Sequence, residues 1–326
     1  MITACVTGGA GFIGRILAEN LLKSGVSTRL LTRRKAGRKE RYSYFEGDLT
    51  DENSSLKGLM DGVDVVFHCA GEVINDRLMR ILHVDGTKHL LDEVRAQIEI
   101  AGKPLHWVQL SSVGTYGPPQ GPARSQRVVD ETTPQIPCGE YEVTKTIADE
   151  LVREFAKSEP LFTYSILRPS NVIGPTMTNQ SLRAMIKMVK KKLFFYIGSR
   201  SAIATYIHVN DVVDALMLCG IDPRAHGQIF NLSNDCELSE IVNAIAIASK
   251  LPVPNICIPE APLRLIVRFL SMFITTPLTQ ERIDALVKRT HYSTEHIEKT
   301  LGFVPKYPIP ASIASMFEER LNAIET

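Results

Sequence analysis

A glycine-rich corner near the start of the sequence constrains the fold of this chain more than any other feature. Residues 7–14 read TGGAGFIG, and they follow an apolar run, residues 2–6, that predicts a short buried strand. Apolar residues then recur at helical spacing over residues 12–22. A strand that passes through glycines into a helix is the corner with which doubly wound α/β folds bind the pyrophosphate of a dinucleotide.

Each glycine of this corner is expected to have its own role. Gly8 allows the tight turn, Gly11 lets backbone N–H groups approach the phosphate oxygens, and Gly14 lets the helix pack closely on the strand. The N–H groups and the positive end of the helix dipole then supply an anion site. The same glycine spacing occurs in plain turns, but the strand before it and the helix after it favour the dinucleotide site.

The rest of the sequence alternates apolar runs with helical patterns. Further strands are predicted at residues 27–32, 42–45, 63–69, 105–110, 162–167 and 228–232, and helices at residues 78–100 and 141–157. Such alternation forms a parallel sheet that binds ligands at the carboxyl ends of its strands. We predict an α/β fold, a Rossmann-like doubly wound parallel sheet of about seven strands. A smaller, mainly helical carboxyl-terminal lobe is expected beside it.

This pattern divides the chain into a core and a lobe. We assign residues 1–170 to a core that binds NAD(P), with residues 201–233 returning to it. Residues 171–200 and 234–326 are assigned to a lobe that binds the substrate.

The composition excludes several classes of protein. A net charge of +1 over 326 residues leaves no basic surface for nucleic acid. The six cysteines form no C-x-x-C pair, which predicts neither disulfide bonds nor a metal site. The sequence has neither a signal-peptide pattern nor an apolar run of about 18 residues. We therefore expect a cytoplasmic protein with a small-molecule substrate and no transmembrane segment.

The end of the second predicted strand indicates which dinucleotide binds. Folds that bind NAD place an acidic residue there, whereas an arginine accommodates the 2′-phosphate of NADP. Thr32 occupies this place, and Arg33 and Arg34 follow it. We predict NADP as the cofactor, with NAD as the alternative if these arginines belong only to a solvated loop. Ala70 and Gly71 follow the fourth strand and leave room beside a ligand, although a simple turn accounts for them nearly as well.

Tyr141 and Lys145 lie at positions i and i+4 of a predicted helix, on one face. A tyrosine has a reference pKa of about 10 and needs help to move a proton at neutral pH. A lysine ammonium and the positive charge of an oxidised nicotinamide both favour the phenolate, so the phenol can exchange a proton with a substrate oxygen. Ser112, at the end of the fifth predicted strand, donates a hydrogen bond to the same oxygen. We predict these three residues as the catalytic group.

Together these motifs resemble the extended short-chain dehydrogenase/reductase family, in its NAD-dependent epimerase/dehydratase branch, over nearly the full chain. With the arginines above, the cofactor contacts expected are Gly8, Gly11, Phe12, Ile13, Gly14, Arg33, Arg34, Asp48, Leu49, Ala70, Gly71, Tyr141, Lys145 and Pro169. The resemblance also implies that Lys145 binds the nicotinamide ribose and that Val113 and Asn171 contact the substrate. It further implies a homodimer.

Departures from the family pattern narrow the expected activity. His83 stands where an asparagine is usual, and a histidine still forms hydrogen bonds. Val113 and Gly114 replace the acidic pair of the sugar-nucleotide dehydratases, which argues against dehydration. Ala204 replaces a common diphosphate-binding arginine, and the segment at Arg289 lacks the usual Arg-x-Gly-Asp. Both losses favour a substrate with fewer phosphates than a UDP-sugar.

Residues 263–274 read LRLIVRFLSMFI, an apolar segment with two arginines. The segment is too short to span a bilayer, but a basic amphipathic helix can lie on one. The alternative is a helix that caps the substrate lobe with snorkelling arginines. Peripheral membrane contact is thus one expectation for this segment.

These features together predict an NAD(P)-dependent oxidoreductase. It is expected to reduce a ketone, or oxidise a secondary alcohol, on a sugar nucleotide or related carbohydrate. Three alternatives remain open: a nucleotide-sugar 4-epimerase, a 3β-hydroxysteroid or dihydroflavonol-type dehydrogenase, and a non-catalytic NADP-sensing module. The intact Ser112, Tyr141 and Lys145 argue against the last of these.

Overall fold

The computed structural model describes residues 2–33, 42–51, 53–122, 124–177, 180–273 and 278–322. These residues form a seven-stranded sheet at the centre of the molecule. Its strands are β1 (Thr3–Thr7), β2 (Ser27–Thr32), β3 (Ser43–Glu46), β4 (Val65–His68), β5 (Leu105–Leu110), β6 (Phe162–Pro169) and β7 (Gln228–Leu232). All neighbours are parallel, in the order β7-β6-β5-β4-β1-β2-β3. The predicted Rossmann-like sheet is confirmed, and its order reverses between β1 and β4, where such sheets bind ligands.

Helices cover both faces of the sheet and build the lobe. They are α1 (Phe12–Lys23), α2 (Asp76–Arg80), α3 (Gly86–Ala101), α4 (Glu140–Ser158), α5 (Gln180–Lys190), α6 (Val209–Ile221), α7 (Leu238–Ala248), α8 (Glu260–Leu270), α9 (Gln280–Val287), α10 (Glu295–Leu301) and α11 (Ile309–Asn322). Helices α1 and α6 pack on one face of the sheet, and α3 and α4 on the other. Across the described ranges, none of the helices is long and apolar enough to cross a membrane.

Successive residues of the central strands pack on opposite faces of the sheet, because side chains alternate along a strand. Ala4 and Val6 join the cluster under α1 and α6, whereas Cys5 joins the cluster under α3 and α4. Burial on both faces explains why these strands appear in the sequence as continuous apolar runs.

One predicted helix differs in the structure. The helix expected over residues 78–100 is interrupted by a π-helical turn, Ile81–Asp85, between α2 and α3. A π turn is wider than an α turn and often occurs at a functional site. Strand β6 also runs beyond its predicted end at residue 167, because Leu232 of β7 pairs with Pro169.

The lobe has its own hydrophobic core, built from α5, α7 and α11. Two short strand pairs connect parts of the chain that are distant in sequence: Asn171–Ile173 with Tyr206–His208, and Gln126–Val129 with Arg289–Tyr292. Two more pairs join Tyr196–Ile197 with Cys257–Ile258, and Ile203–Ala204 with Cys236–Glu237. Sequence analysis missed them because strands this short have no measurable periodicity.

Part of the predicted lobe packs on the sheet instead. Ile297 and Leu301 of α10, with Phe303 after it, join the cluster under α1 and α6. The boundary that placed residues 234–326 in the lobe therefore does not hold for this segment. The remaining division into core and lobe stays a prediction.

Candidate active site

The glycine corner lies against the loop that follows β4. Gly8 has a φ of +68°, a left-handed conformation that favours glycine. A Cβ on Gly8 would lie 2.7 Å from the backbone nitrogen of Ala70. A Cβ on Gly14 would lie 2.3 Å from the carbonyl oxygen of Gly8. Close backbone contact therefore requires glycine at both positions, consistent with the expected turn and packing roles.

The start of α1 fits an anionic group. Its N-cap is Gly11, no side chain caps the helix, and its first turn holds no acidic residue. An uncapped helix start presents N–H groups and the positive end of the dipole to a ligand. A dinucleotide fits this corner, where Gly11, Phe12 and Ile13 would hold its pyrophosphate. Phe12 also contacts the lobe, since a Cβ on Gly174 would lie 3.0 Å from its ring.

A buried chain of hydrogen bonds links the end of β1, where the glycine corner begins, to β4 and α3. Thr7 Oγ1 accepts from the Ala70 N–H (3.2 Å) and lies 2.8 Å from His68 Nδ1. His68 Nε2 lies 3.2 Å from Thr87 Oγ1, which donates to the His83 carbonyl (2.6 Å). Because the Thr87 hydroxyl has one proton, His68 donates from Nε2 and accepts from Thr7 at Nδ1. Burial lowers the pKa of His68 to about 3, so the ring is neutral.

The residue after β2 lies near the loop that follows β4. Thr32 ends β2, and Arg33 is exposed directly after it. The pKa of Glu72, in the β4 loop, is lowered first by the backbone N–H of Ile74 and also by the Arg33 guanidinium. Arg33 is therefore within electrostatic reach of the point where the sheet order reverses. Arg34 lies outside the described residues.

The segment after β3 is held by its own side chains. Asp48 Oδ1 accepts from the backbone N–H (2.9 Å) and the hydroxyl (2.7 Å) of Thr50. Leu49 is buried against α3, where a Cβ on Gly86 would lie 2.9 Å from the Leu49 carbonyl oxygen. The expected contact of Asp48 and Leu49 with adenine stays a prediction.

Ser112 and Tyr141 meet at the carboxyl end of β5. The Oγ of Ser112 accepts from the Gly114 N–H (3.0 Å), and the Ser112 side chain lies beside the Tyr141 phenol. Burial raises the pKa of Tyr141 to about 12, although the nearby Ser112 side chain opposes this shift. The phenol is therefore protonated at neutral pH. The expectation that Lys145 and an oxidised nicotinamide favour the phenolate stays a prediction.

The Lys145 side chain also reaches the carboxyl end of β5. It is buried, and Nζ donates to the Leu110 carbonyl at the end of β5 (2.9 Å). A Cβ on Gly71 would lie 3.5 Å from Nζ, so the ammonium also adjoins the loop after β4. Burial lowers the pKa of Lys145 to about 8, with the charge of Asp149 opposing that shift. The ammonium is therefore mostly charged at neutral pH.

A buried ion pair fixes the helix that carries Tyr141 and Lys145. Asp149 Oδ2 accepts from Ser111 Oγ (2.8 Å) and from Arg168 Nε (3.1 Å) and Nη2 (3.0 Å). The Arg168 and Asp149 side chains are 0% and 2% exposed. Removing either partner would leave a buried charge without its counterion. The pair therefore holds α4 against β6, a role that sequence analysis missed although Asp149 lies one turn after Lys145.

His83, in the π turn, connects the β4 loop to α4. Its Nε2 accepts from the Glu72 N–H (2.9 Å), and its Nδ1 lies 2.9 Å from Thr144 Oγ1. Thr144 donates to the Glu140 carbonyl (2.7 Å), so His83 donates from Nδ1. The His83 and Tyr141 rings meet edge to face, with centroids 5.7 Å apart. Burial lowers the pKa of His83 to about 3, so this neutral ring positions the catalytic helix.

The free energy of unfolding should fall as the pH is lowered from about 6.5 towards 3. Burial lowers the pKa of His68, His83 and His106 from the usual 6.5 to about 3, so in this range the unfolded chain binds more protons than the folded protein. Each histidine then reduces the free energy of unfolding by about 1.4 kcal/mol per pH unit. Urea unfolding at several pH values should show a slope that His83→Asn reduces by this amount. An unchanged slope would contradict the neutral state of the ring.

The expected substrate contacts lie on two sides of this site. Asn171 is exposed after β6, and its Nδ2 donates to the Thr205 carbonyl (3.1 Å). Val113 is buried in a cluster with Val129 and Tyr292. Pro169 ends β6 next to Asn171 and is buried. The contacts of Asn171 and Val113 with substrate, and of Pro169 with the cofactor, stay predictions.

Known proteins resemble this chain in sequence. The model of the NAD dependent epimerase/dehydratase family matches residues 4–233. The UDP-glucose 4-epimerase of Mycolicibacterium smegmatis is 27% identical over 270 residues, which cover 77% of this chain and 83% of that protein. The dTDP-6-deoxy-L-talose 4-dehydrogenase (NAD(P)(+)) of Kitasatospora kifunensis is 28% identical over 233 residues, 68% of this chain and 70% of that protein.

A solved structure shares the fold. The crystal structure of a short-chain dehydrogenase/reductase superfamily protein from Agrobacterium tumefaciens, with bound NAD, matches with a TM-score of 0.73 and 22% identity. The match covers 99% of each chain. The family match spans the glycine corner, the end of β5 and α4, which together form the site described above. The chain therefore belongs to the NAD-dependent epimerase/dehydratase family and is an NAD(P)-dependent enzyme.

Proposed function

We propose that this protein is an oxidoreductase that reduces a ketone, or oxidises a secondary alcohol, on a sugar nucleotide or related carbohydrate. The observation that carries the proposal is the placement of Tyr141 beside Ser112 at the carboxyl end of β5, with Lys145 one helical turn further along α4. The substrate class is supported by two relatives whose names are UDP-glucose 4-epimerase and dTDP-6-deoxy-L-talose 4-dehydrogenase.

The residues of the site divide the chemistry among them. A bound nicotinamide would supply the hydride donor or acceptor. Ser112 holds the substrate oxygen through a hydrogen bond, and Tyr141 transfers its phenolic proton to that oxygen. The Lys145 ammonium stabilises the phenolate that remains after transfer. Tyr141 is protonated at neutral pH, so its phenol can donate a proton to the oxygen of a ketone.

A test of this proposal measures NADPH oxidation with 4-keto sugar nucleotides as substrates. The expected result is one alcohol formed for each NADPH consumed, by a protein that mass spectrometry shows to be purified without a dinucleotide. A reductase exchanges its cofactor in every turnover, so an empty site is its natural resting state. Failure of every ketone of this class to oxidise NADPH would contradict the proposal.

The second candidate is a nucleotide-sugar 4-epimerase, which the M. smegmatis relative favours by its name. An epimerase uses the same three residues but retains its dinucleotide while the keto sugar rotates. Mass spectrometry that finds the dinucleotide bound in equal amount to the protein would favour this candidate. Interconversion of UDP-glucose and UDP-galactose without net NADPH oxidation would establish it.

We also propose that NADPH binds more tightly than NADH. Arg33 is exposed after β2, near the reversal of the sheet order, and a charge-assisted contact with the 2′-phosphate is worth about 1.5–3 kcal/mol. This corresponds to a roughly ten- to hundred-fold preference. Fluorescence titration with both cofactors should show that Arg33→Ala removes most of it and that Thr32→Asp reverses it.

The control for this titration is Arg153→Ala, which removes an exposed arginine on α4 that pairs with Glu150. It should leave the preference unchanged, because Arg153 lies near the far end of α4 from the site. Rising salt should also reduce the preference, since an exposed contact is screened. Equal dissociation constants for the two cofactors in the wild type would show that Arg33 belongs to a solvated loop.

A further inference from the structure

The outer face of α8 and the turn after it form an exposed apolar patch, here called the α8 patch. Its members recur at helical spacing on one face: Leu265, Ile266, Phe269, Leu270, Met272 and Phe273. Leu265 is 69% exposed and Phe273 70%, and the rings of Phe269 and Phe273 lie 5.2 Å apart. Within α8, Val267 alone is fully buried, against α9. An apolar surface of this kind marks an interaction site.

The arginine on the inner side of α8 is fixed away from the patch. Arg264 Nε binds Glu260 (2.9 Å), and its Nη2 binds Asp284 of α9 (2.7 Å). Its Nη1 also donates to Gln280 (3.1 Å). Whether α8 caps the substrate lobe, the other expectation for this segment, stays a prediction. The polar side of α8 packs on α9 and its apolar side faces solvent.

The charges around the α8 patch complement an anionic lipid surface. From Ala261 to Gln280 the sequence contains two arginines and no acidic residue. Arg264 is paired within the fold, and Arg268 is exposed beside Phe269. Apolar side chains that insert below headgroups, with arginine at the level of the phosphates, are the pattern of helices that lie on membranes. A symmetric contact between two copies would instead bring like charges together, because it pairs the same surface with itself.

The inner side of α8 lines a cleft that adjoins the loop leading from the catalytic serine. The cleft has a volume of about 340 Å³ and lies between Glu260, Arg264 and Asp284 on one side and residues 118–122 on the other. Residues 118–122 follow the short helical turn Val113–Tyr116, whose N-cap is Ser112. A lipid surface under the α8 patch would therefore lie next to this cleft.

We propose that the α8 patch docks the protein on an anionic lipid surface. This inference goes beyond the proposed oxidoreductase activity and does not depend on it, because docking can be measured without cofactor or substrate. The patch inserts into the region between headgroups and acyl chains, and Arg268 binds headgroup phosphates.

Flotation of the purified full-length protein with vesicles tests this proposal. Wild type should float with vesicles that contain phosphatidylglycerol. Leu265→Glu should reduce the partition coefficient more than about ten-fold, because a charge would replace an apolar side chain that inserts into the lipid. The matched control is Ile247→Glu on α7, since Ile247 is also 69% exposed. It should float like the wild type. Dinucleotide titration of both variants confirms that they are folded.

The arginine is tested separately from the apolar face. Arg268→Gln should lower partitioning onto phosphatidylglycerol vesicles about five-fold, the factor expected for one cation at an anionic surface. The same change should leave partitioning onto neutral phosphatidylcholine vesicles unaltered. Three results would overturn the proposal: no flotation of the wild type, equal flotation of Leu265→Glu and Ile247→Glu, or a lipid-free dimer that does not float and that Leu265→Glu dissociates.

Discussion

Tyr141→Phe should reduce kcat by about 10²- to 10⁴-fold, the usual contribution of a positioned general acid. The substitution removes only the hydroxyl beside Ser112 and leaves the ring packed edge to face with His83. The dissociation constant of the dinucleotide should stay within a few-fold of the wild type, because the phenol acts on the substrate. Steady-state NADPH oxidation and fluorescence titration measure the two quantities. Lys145→Ala should impair both, since its ammonium adjoins the β4 loop and lies on α4 one turn after Tyr141.

The matched control for this variant is Tyr196→Phe. Among the described residues, the buried hydroxyl of Tyr196 has no hydrogen-bond partner, so removing it deletes the same atom without touching the site. Turnover of this control should equal that of the wild type. A Tyr141→Phe enzyme that keeps more than about a tenth of kcat would show that another group supplies the proton.

Gly14→Ala should weaken dinucleotide binding by at least about 100-fold, or about 3 kcal/mol, the upper part of the range for overpacked sites. The added Cβ would lie 2.3 Å from the carbonyl oxygen of Gly8 and 3.2 Å from the Cα of Gly9. Both are backbone atoms of the glycine corner, so the corner itself has to move. Gly8 has no space to move into, because the backbone of Cys69 and Ala70 lies behind it. Isothermal titration with the dinucleotide measures the loss.

A comparable clash elsewhere separates loss of affinity from loss of stability. A Cβ on Gly220 of α6 would lie 2.4 Å from the ring of Phe67, inside the hydrophobic core. Gly220→Ala should therefore lower the free energy of unfolding, while the folded protein binds the dinucleotide as the wild type does. If both variants lose the same affinity, the effect of Gly14→Ala is one of general stability. If Gly14→Ala binds normally, the corner does not contact the pyrophosphate.

The sheet and the catalytic group could be predicted from sequence because each leaves a local signal. Strands buried on both faces appear as apolar runs, and β2, β5 and β7 begin and end where those runs do. The bonds that support the site leave no such signal. Thr7 and His68 are 61 residues apart, as are His83 and Thr144, and each pair meets only when separate elements pack. No spacing in the sequence identifies such partners.

The upward shift of the Tyr141 pKa could not be predicted for a related reason. The sequence places Lys145 one turn away and so favours the phenolate, but the motif contains no information about burial. In the folded protein burial dominates and raises the pKa of Tyr141 to about 12. The same holds for the α8 segment, whose apolar residues predicted an amphipathic helix but not which face would be exposed.

The π turn at Ile81–Asp85 has a consequence for how this family member tolerates changes in chain length. In the middle of this turn His83 is bonded to Thr144 of the catalytic helix, and directly after the turn Gly86 packs on Leu49, which follows β3. Each residue of a helix advances its neighbours by about 100° around the axis. Deleting one residue between these anchors would convert the wide turn into an α turn and rotate His83 away from Thr144. We therefore expect that insertions and deletions within residues 83–86 would disrupt the site.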